Sequence, residues 1–200
     1  MENRDDTHTH TDAGASENQA EWARHAADGR DNHGAEGQPH ARVLRVPGAQ
    51  PLDLGRREPL TIKDFYGAGV EDTSRQGTFE FTNGEPPVLL GQNEGANPVE
   101  FLLHALAGCV TTTTVLHAAA RGIEIESLST RLVGDIDLQG LLALADVPAG
   151  YGGIRIEMDI KAKNASDADL DALIGFAQAH SPVCNAVCRP VPVVVERVSL

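Results

Sequence analysis

The sequence predicts an α+β fold in which helices cover one face of a largely antiparallel sheet. One stretch, residues 97–122, has the composition and the end signals of a long helix. Segments on either side of it carry apolar residues at every second position, which is typical of strands. A second helical spacing follows at residues 166–180. The predicted order is therefore strands, helix, strands, helix and strand.

The overall composition predicts one domain preceded by a tail. The chain has 200 residues, of which 41% are hydrophobic, and this suffices for one ordinary domain. Residues 1–40 are polar and contain one aromatic residue, Trp22, so we expect a disordered tail. Residues 41–200 form the expected domain. The histidines of the tail lack a rigid ligand spacing and are interpreted as solvated polar residues.

Charge and targeting signals limit the function classes. A net charge of −13 argues against nucleic acid and against an anionic membrane surface as partners. The first 40 residues contain no apolar segment of the kind found in signal peptides, so a cytoplasmic location is expected. Three cysteines in a cytosolic chain do not make a disulfide framework, which favours buried thiols or redox chemistry.

The segments before the long helix predict short strands joined by loops. Strands are expected at residues 41–46, 60–66 and 78–82. A polar loop at residues 67–77 contains Arg75. Asn83 and Gly84 signal a tight turn, and residues 88–90 are expected to be a short buried run.

The long helix has clear start and end signals. Asn97 is a good N-cap, Pro98 suits the first helical position, and Glu100 can complete a capping box. Gly122 is the expected C′ residue. Because the segment is apolar nearly all round, it is either a core helix or a membrane span, and its histidines and threonines favour the core. One stripe at helical spacing contains Phe101, Ala105, Cys109, Thr112 and Leu116.

The segments after the long helix predict a sheet covered by a second helix. A long strand is expected over residues 123–139, bent at Gly134, followed by a strand over residues 154–160. Ser166 and Asp169 are placed to cap the second helix, which ends near His180. A short turn at residues 181–188 and a last strand at residues 191–198 complete the pattern.

Several segments resemble the OsmC/organic hydroperoxide resistance family. They are NPVEFLLHALAGC, HAAARGIEIESL, GDIDLQG, GYGGIRIEMDI and SPVCNAVCRPVPVVVE, and the resemblance extends from about Leu60 to Val198. It implies an OsmC-like fold with a long central helix and a second helix. It also implies an intertwined homodimer, in which the N-terminal strands of one subunit join the sheet of the other. Well-studied members of the family reduce organic hydroperoxides with two cysteines.

The resemblance also implies roles for particular residues. Cys109 corresponds to the cysteine that attacks the peroxide O–O bond. It lies about three turns into the helix, too far for the helix N-terminus to stabilise a thiolate, so an arginine is required. Arg75 is the candidate for this activating cation. Cys184 is the candidate resolving thiol, which would form a disulfide with the oxidised Cys109.

The sequence departs from the family pattern at two positions. The carboxylate of the reductases would fall at Val99, and the neighbouring Glu100 is expected to be a helix cap rather than its substitute. The resolving cysteine would fall at Ser181, and Cys184 lies three residues further on. If residues 181–187 are helical, these two side chains share one face of the helix. Cys188, a further turn away, is a weaker candidate.

Two functions remain open at this point. The first is a cytoplasmic, dimeric, thiol-dependent peroxidase that uses an external thiol or dithiol as reductant. The second is a family member without peroxidase activity that binds a small apolar ligand or performs other thiol chemistry. A purely structural dimer has no positive support. No cofactor is expected, and His104 and His117 are interpreted as core histidines rather than metal ligands.

Overall fold

The structure is a computed structural model that describes residues 52–53, 56–57, 60–67 and 69–197. The expected tail at residues 1–40 and the expected strand at residues 41–46 lie outside these residues. The described chain divides into two compact units. One is formed by residues 106–197 and the other by the described residues up to Ala105, so the division falls within the long helix.

Helix α1, Pro98–Ala120, confirms the predicted long helix. The Asn97 side chain accepts a hydrogen bond of 2.8 Å from the Glu100 amide, and the Glu100 carboxylate accepts one of 2.8 Å from the Asn97 amide. This is a complete capping box. At the other end, Gly122 has a φ of 69° and the Ile123 amide donates to the Ala118 carbonyl at 2.9 Å. That pairing is a Schellman C-cap, which favours glycine at its left-handed position.

The buried face of helix α1 differs from the predicted stripe. Ala105 and Thr112 of that stripe are exposed, and Cys109 is only half-buried. A helix that is apolar nearly all round offers no contrast from which sequence alone can select the buried face. By length and composition this helix could also cross a membrane, although only 22% of its most apolar window is buried within this chain. The residues that are buried are Leu106, Val110, Thr113, Thr114 and Ala118.

The threonines of helix α1 satisfy their hydroxyl groups locally. Thr113 donates to the Cys109 carbonyl at 2.7 Å, and Thr114 donates to the Val110 carbonyl at 2.9 Å. Both contacts reach one turn back, as is common for threonine within a helix. Thr111 instead shares a hydrogen bond of 2.8 Å with Thr130. That bond ties helix α1 to the strand that follows it.

A long antiparallel hairpin forms the sheet of the larger unit. Strand β7, Ile125–Ile136, pairs with strand β8, Tyr151–Ala162, and the short helix α2, Leu138–Leu141, lies between them. The alternation predicted for residues 154–160 is confirmed, since every second residue is half-buried. The pairing is irregular beside Gly134, where a Cβ atom would lie 2.7 Å from the Tyr151 ring.

Two further helices complete this unit. Helix α3, Asp167–His180, begins with the predicted Ser166–Asp169 capping box and buries Leu170, Leu173 and Ala177. Helix α4, Pro182–Cys188, follows at once, with Ser181 as its N-cap. Leu106, Val110 and Cys184 form a buried cluster against which the inward residues of the hairpin pack. Those hairpin residues are Leu132, Ile154, Ile156 and Met158.

The smaller unit consists of short paired strands. Strand β1, Leu52–Asp53, pairs with β2, Arg56–Arg57; β3, Leu60–Ile62, pairs with β6, Phe79–Phe81; and β4, Phe65–Gly67, pairs with β5, Val70–Asp72. The single strand predicted over residues 60–66 is therefore wrong, because Lys63 and Asp64 separate two strands with different partners. The Phe81 and Phe101 rings meet edge to face, with centroids 6.0 Å apart, which anchors the start of helix α1.

Three other predictions are wrong. Residues 87–89 form a 3₁₀ turn in which Val88 is exposed, so the expected buried run is absent there. Gly84 does not form a hairpin turn; its amide donates to the Ala96 carbonyl at 3.1 Å, and a Cβ atom would meet Gly95. Residues 191–197 are not a strand. Pro190 and Pro192 provide no amide donors there, and no strand in the described part of the chain pairs with this segment.

The fold class is confirmed at the level of helices with antiparallel sheets. Within the described residues, however, the strands form four separate two-stranded pairs instead of one continuous sheet. The long strands β7 and β8 provide the platform on which α1 and α4 pack, and this platform positions the cysteines.

Candidate functional site

Cys109 lies half-buried in the middle of helix α1, and its sulfur accepts two hydrogen bonds. The Ser181 hydroxyl donates to Cys109 Sγ at 3.2 Å. The Val183 backbone amide donates to the same sulfur at 3.5 Å. Both donors come from the start of helix α4. Hydrogen bonds of this kind strengthen as negative charge develops on the acceptor, so the arrangement suits a sulfur that reacts as a thiolate.

Ser181 is fully buried, and its hydroxyl has two partners. It accepts a hydrogen bond of 3.3 Å from the Cys184 amide, as the N-cap of helix α4, while its single hydrogen is directed to Cys109. Pro182 at the first helical position has no amide hydrogen, so the next free amide, that of Val183, faces the sulfur. The sequence Ser181-Pro182-Val183 therefore determines which two groups donate hydrogen bonds to the Cys109 sulfur.

Cys184 is the buried member of a second thiol pair. It is 5% exposed and packs against Leu106 and Val110 of helix α1. Burial raises the pKa of the Cys184 thiol, and the neighbouring Cys188 and Cys109 sulfurs raise it further. Its sulfur lies 3.8 Å from that of Cys188, one turn further along helix α4. The Cys184 thiol is therefore protonated near neutral pH. The sulfur of Cys188 is within contact distance of the Cys184 sulfur.

An apolar cavity of about 540 Å³ opens beside this thiol pair. Both Cys184 and Cys188 line it, together with residues of helices α1 and α3 and strand β8. The apolar lining includes Leu106, Val110, Ile154, Ile156, Met158 and Ile174. Its size is in the range of cavities that hold small organic ligands.

Arg75 lies in the smaller unit, in the loop between β5 and β6. Its guanidinium donates to the Lys63 carbonyl at 2.6 Å and lies 4.9 Å from the Phe65 ring centroid and 5.2 Å from that of Phe79. The two rings and the carbonyl hold the cation in place. Its charge makes a small contribution to lowering the pKa of Asp72, for which the hydrogen bonds from Ser74 are the main cause. Because Cys109 belongs to the other unit, the activating role of Arg75 stays a prediction.

Glu100 is a helix cap, as expected, since its carboxylate accepts a hydrogen bond of 2.8 Å from the Asn97 amide.

His117 contacts the Phe176 ring, with centroids 4.6 Å apart, and is half-buried. Burial is the main cause that lowers the His117 pKa, and the charges of His180 and Arg121 lower it further. His104 is exposed, so its interpretation as a core histidine is wrong. Within the described residues, no group of three or more His, Cys, Asp or Glu side chains is placed to hold a metal ion.

Sequence reasoning missed two features of the site. The Val183 amide as a donor to Cys109 could have been inferred from Ser181-Pro182, which is a helix-start signal. The close approach of the Cys184 and Cys188 sulfurs could also have been inferred. Residues four apart are neighbours on one face of a helix, so a predicted helix over residues 182–188 would have implied this contact.

Comparisons with known proteins agree with this architecture. The family described as OsmC-like protein matches residues 91–196. An OsmC-like protein from Mycoplasma pneumoniae is similar in structure, with 20% identity, a TM-score of 0.52, and coverage of 72% of this chain and 87% of that chain. An OsmC-like protein of unknown function from Vibrio cholerae has 11% identity, a TM-score of 0.50, and coverage of 71% and 92%.

An organic hydroperoxide resistance protein OsmC from Legionella pneumophila has 14% identity, a TM-score of 0.48, and coverage of 72% of this chain and 88% of that chain. No curated protein matches the chain in sequence. Because the family match covers more than half of the residues, the chain belongs to the OsmC-like family. The structural similarities to the Mycoplasma pneumoniae and Vibrio cholerae proteins support the fold.

Proposed function

We propose that the protein is a cysteine-dependent peroxidase that reduces organic hydroperoxides, and that Cys109 is the attacking residue. The observation that carries the proposal is the pair of hydrogen bonds that the Cys109 sulfur accepts from Ser181 and Val183. Membership of the OsmC-like family supports the same activity. Cys109 is half-buried rather than enclosed, and the proposal requires that a small substrate reach its sulfur.

The proposed reaction begins with attack of the Cys109 thiolate on the terminal peroxide oxygen. A sulfur–oxygen bond forms and the O–O bond breaks, so the sulfur is oxidised to a sulfenic acid. The peroxide is reduced to an alcohol, whose oxygen takes up a proton as it leaves. The hydrogen bonds to the sulfur orient its lone pairs and stabilise the anion before attack. Arg75 is proposed as the cation that further stabilises it.

Regeneration cannot follow the two-cysteine pattern directly, because a serine faces Cys109. Ser181 cannot form a disulfide with the sulfenic acid. We propose that Cys184 is the internal resolving thiol and that an external thiol or dithiol completes the cycle. The working protein is proposed to be a cytoplasmic homodimer that acts in defence against peroxide stress. Its OsmC-like domain is proposed to span residues 41–200, with residues 1–40 as a separate tail.

Peroxide consumption by the reduced protein tests the proposal. Wild-type protein should consume cumene hydroperoxide at once in a single turnover, without added reductant. The Cys109→Ser variant should consume none. Thr112→Ser, an exposed change on the same helix, is the matched control and should behave as wild type. Equal consumption by wild type and Cys109→Ser would disprove the assignment.

A second candidate is an OsmC-fold protein that binds a small apolar ligand without peroxidase activity. The cavity of about 540 Å³ favours it, because its lining is largely aliphatic. Equilibrium binding of cumyl alcohol to wild type and to Ile174→Trp, which narrows the cavity, would test this function. Saturable binding that is lost in the variant, together with no peroxide consumption, would favour the second candidate.

A further inference from the structure

The three cysteines differ in exposure in a way that the proposed peroxidase function does not explain. Cys109 is half-buried, Cys184 is buried and Cys188 is exposed. A resolving thiol as buried as Cys184 would leave its disulfide out of reach of an external reductant. The exposed Cys188, whose sulfur lies 3.8 Å from that of Cys184, would remove this difficulty.

The backbone geometry of helix α4 allows these two thiols to be joined. A disulfide requires Cα atoms within roughly 7 Å, and residues four apart in a helix are about 6 Å apart along its axis. The sulfur–sulfur distance must shorten from 3.8 Å to about 2 Å. Cys188 is the last residue of the helix and Arg189 after it is extended, so the adjustment that a disulfide needs is confined to the final turn, which the Arg189 amide closes on the Asn185 carbonyl.

Ser181 connects Cys184 to the attacking cysteine. Its hydroxyl donates to Cys109 Sγ at 3.2 Å and accepts from the Cys184 amide at 3.3 Å, so one hydroxyl group contacts both residues. The Cys184 side chain packs against Val110, the residue that follows Cys109. Cys184 is thus linked to Cys109 through Ser181, and its sulfur is in contact with that of Cys188.

We propose that Cys184 and Cys188 form a thiol–disulfide relay that carries oxidation from Cys109 to the protein surface; this proposal rests on the peroxidase function proposed above. In the first step the Cys184 sulfur displaces the hydroxyl of the Cys109 sulfenic acid, and the Cys184 proton leaves with that hydroxyl as water. In the second step the Cys188 thiolate attacks the Cys184 sulfur, and the Cys109 thiolate leaves. An external dithiol then reduces the Cys184–Cys188 disulfide and is itself oxidised.

The surroundings of the thiol pair suit this sequence of steps. Burial favours the protonated form of Cys184, so its proton has to pass to the departing hydroxyl as the sulfur attacks, and water is released. Cys184 and Cys188 also line a groove of about 230 Å³ with Asn185 and Arg189. Exposure of Cys188 at this groove gives a reductant access that Cys184 alone would not have.

Disulfide mapping after one equivalent of cumene hydroperoxide tests the relay. Wild type should end with a Cys184–Cys188 disulfide and a free Cys109. Cys188→Ser should stop at a Cys109–Cys184 disulfide, and Cys184→Ser should accumulate sulfenic acid at Cys109. The relay is overturned if wild type and Cys188→Ser give the same Cys109 product, or if wild type never contains the Cys184–Cys188 disulfide.

A second measurement separates the relay from the peroxidase function. Equilibration of the Cys109→Ser variant with glutathione disulfide bypasses Cys109 and any peroxide. A Cys184–Cys188 disulfide, formed to a degree that follows the glutathione ratio, would support the redox pair even if peroxide did not react with the wild type. Mixed disulfides with glutathione at Cys188 alone would overturn the pair, while leaving the peroxide test of Cys109 unaffected.

Discussion

The Ser181 hydroxyl donates a hydrogen bond of 3.2 Å to the Cys109 sulfur. Ser181 stands at the position where the family resemblance implies a resolving cysteine. The serine retains a polar contact with the attacking residue but cannot form a disulfide with it. This relationship accounts for the need for another thiol in the proposed cycle.

Restoring a thiol at position 181 should restore a direct disulfide. In the Ser181→Cys variant, the introduced sulfur would lie close to Cys109 Sγ, because the present oxygen is 3.2 Å from it. One equivalent of cumene hydroperoxide should then produce a disulfide between positions 181 and 109, detected by peptide mapping. Ser129→Cys, at an exposed position on strand β7, is the control and should form no bond to Cys109. A Ser181→Cys protein whose two thiols stay free after Cys109 is oxidised would show that the geometry is wrong.

Removing the Ser181 hydroxyl should slow the first turnover. Ser181→Ala removes one hydrogen bond to the sulfur, worth about 1 kcal/mol, so the rate of peroxide consumption should fall roughly five-fold. It also removes the N-cap of helix α4, at a cost of about 1 kcal/mol in the free energy of unfolding. Ser166→Ala removes the N-cap of helix α3 in the same way but lacks a contact to Cys109. The same rate for both variants would refute a specific role for Ser181.

The Asn97–Glu100 capping box should matter for stability but not for peroxide reduction. Glu100→Gln keeps an oxygen that can accept from the Asn97 amide, so the free energy of unfolding and the single-turnover rate should both stay near wild type. Asn97→Ala removes the acceptor for the Glu100 amide and should cost about 1 kcal/mol of stability, with an unchanged rate. Denaturant unfolding and stopped-flow peroxide assays measure the two quantities. A loss of more than about ten-fold in rate for Glu100→Gln would make Glu100 the carboxylate that orients the cation.

His117 should make stability depend on pH. Its pKa is lowered in the fold, chiefly by burial and then by the charges of His180 and Arg121, so folding favours the neutral ring. This contribution to stability is present above the ordinary histidine value of 6.5 and is lost as the pH falls through the lowered value. Urea unfolding between neutral pH and about pH 5 should therefore show a steeper loss for wild type than for His117→Gln.

His104→Gln is the control for that measurement, because His104 is an exposed histidine on the same helix. It should follow the wild-type pH dependence. If the free energy of unfolding falls with pH equally in His117→Gln and in wild type, folding does not favour the neutral form of His117.

The starts of helices α1 and α3 could be predicted from the sequence, because their causes are local. The capping boxes at Asn97 and Ser166 each involve residues three positions apart, and both form as expected. The strict alternation over residues 154–160 likewise predicted strand β8, since it reflects one buried face of a strand.

Features set by distant parts of the chain could not be predicted. The buried face of helix α1 runs through Leu106 and Val110 because the β7–β8 hairpin and helix α4 pack there, and nothing in an apolar helix marks that choice. The segment at residues 191–197 alternates little and has its prolines at the start, and strand formation there requires a partner strand.

The candidate site likewise contains features that could be predicted from the sequence and features that could not. The resemblance identified Cys109 and the position of Ser181, and the structure brings these two side chains together. The contact between Cys184 and Cys188 could not be predicted from the cysteine spacing alone, because it requires helix α4 to extend to Cys188. One helical turn then separates the two residues, and their sulfurs lie 3.8 Å apart. The role of Arg75 depends on the relation between two units of the chain and stays a prediction.

The most direct test of the central claim is mass spectrometry of the fully reduced protein, mixed with one equivalent of cumene hydroperoxide in the presence of dimedone. Dimedone reacts with sulfenic acids, so the oxidised residue is marked as it forms. We expect Cys109 to carry the label or to be found in a disulfide within the first turnover, while most of the peroxide is converted to cumyl alcohol. A Cys109 thiol that remains unlabelled and reduced after minutes would contradict the proposed function.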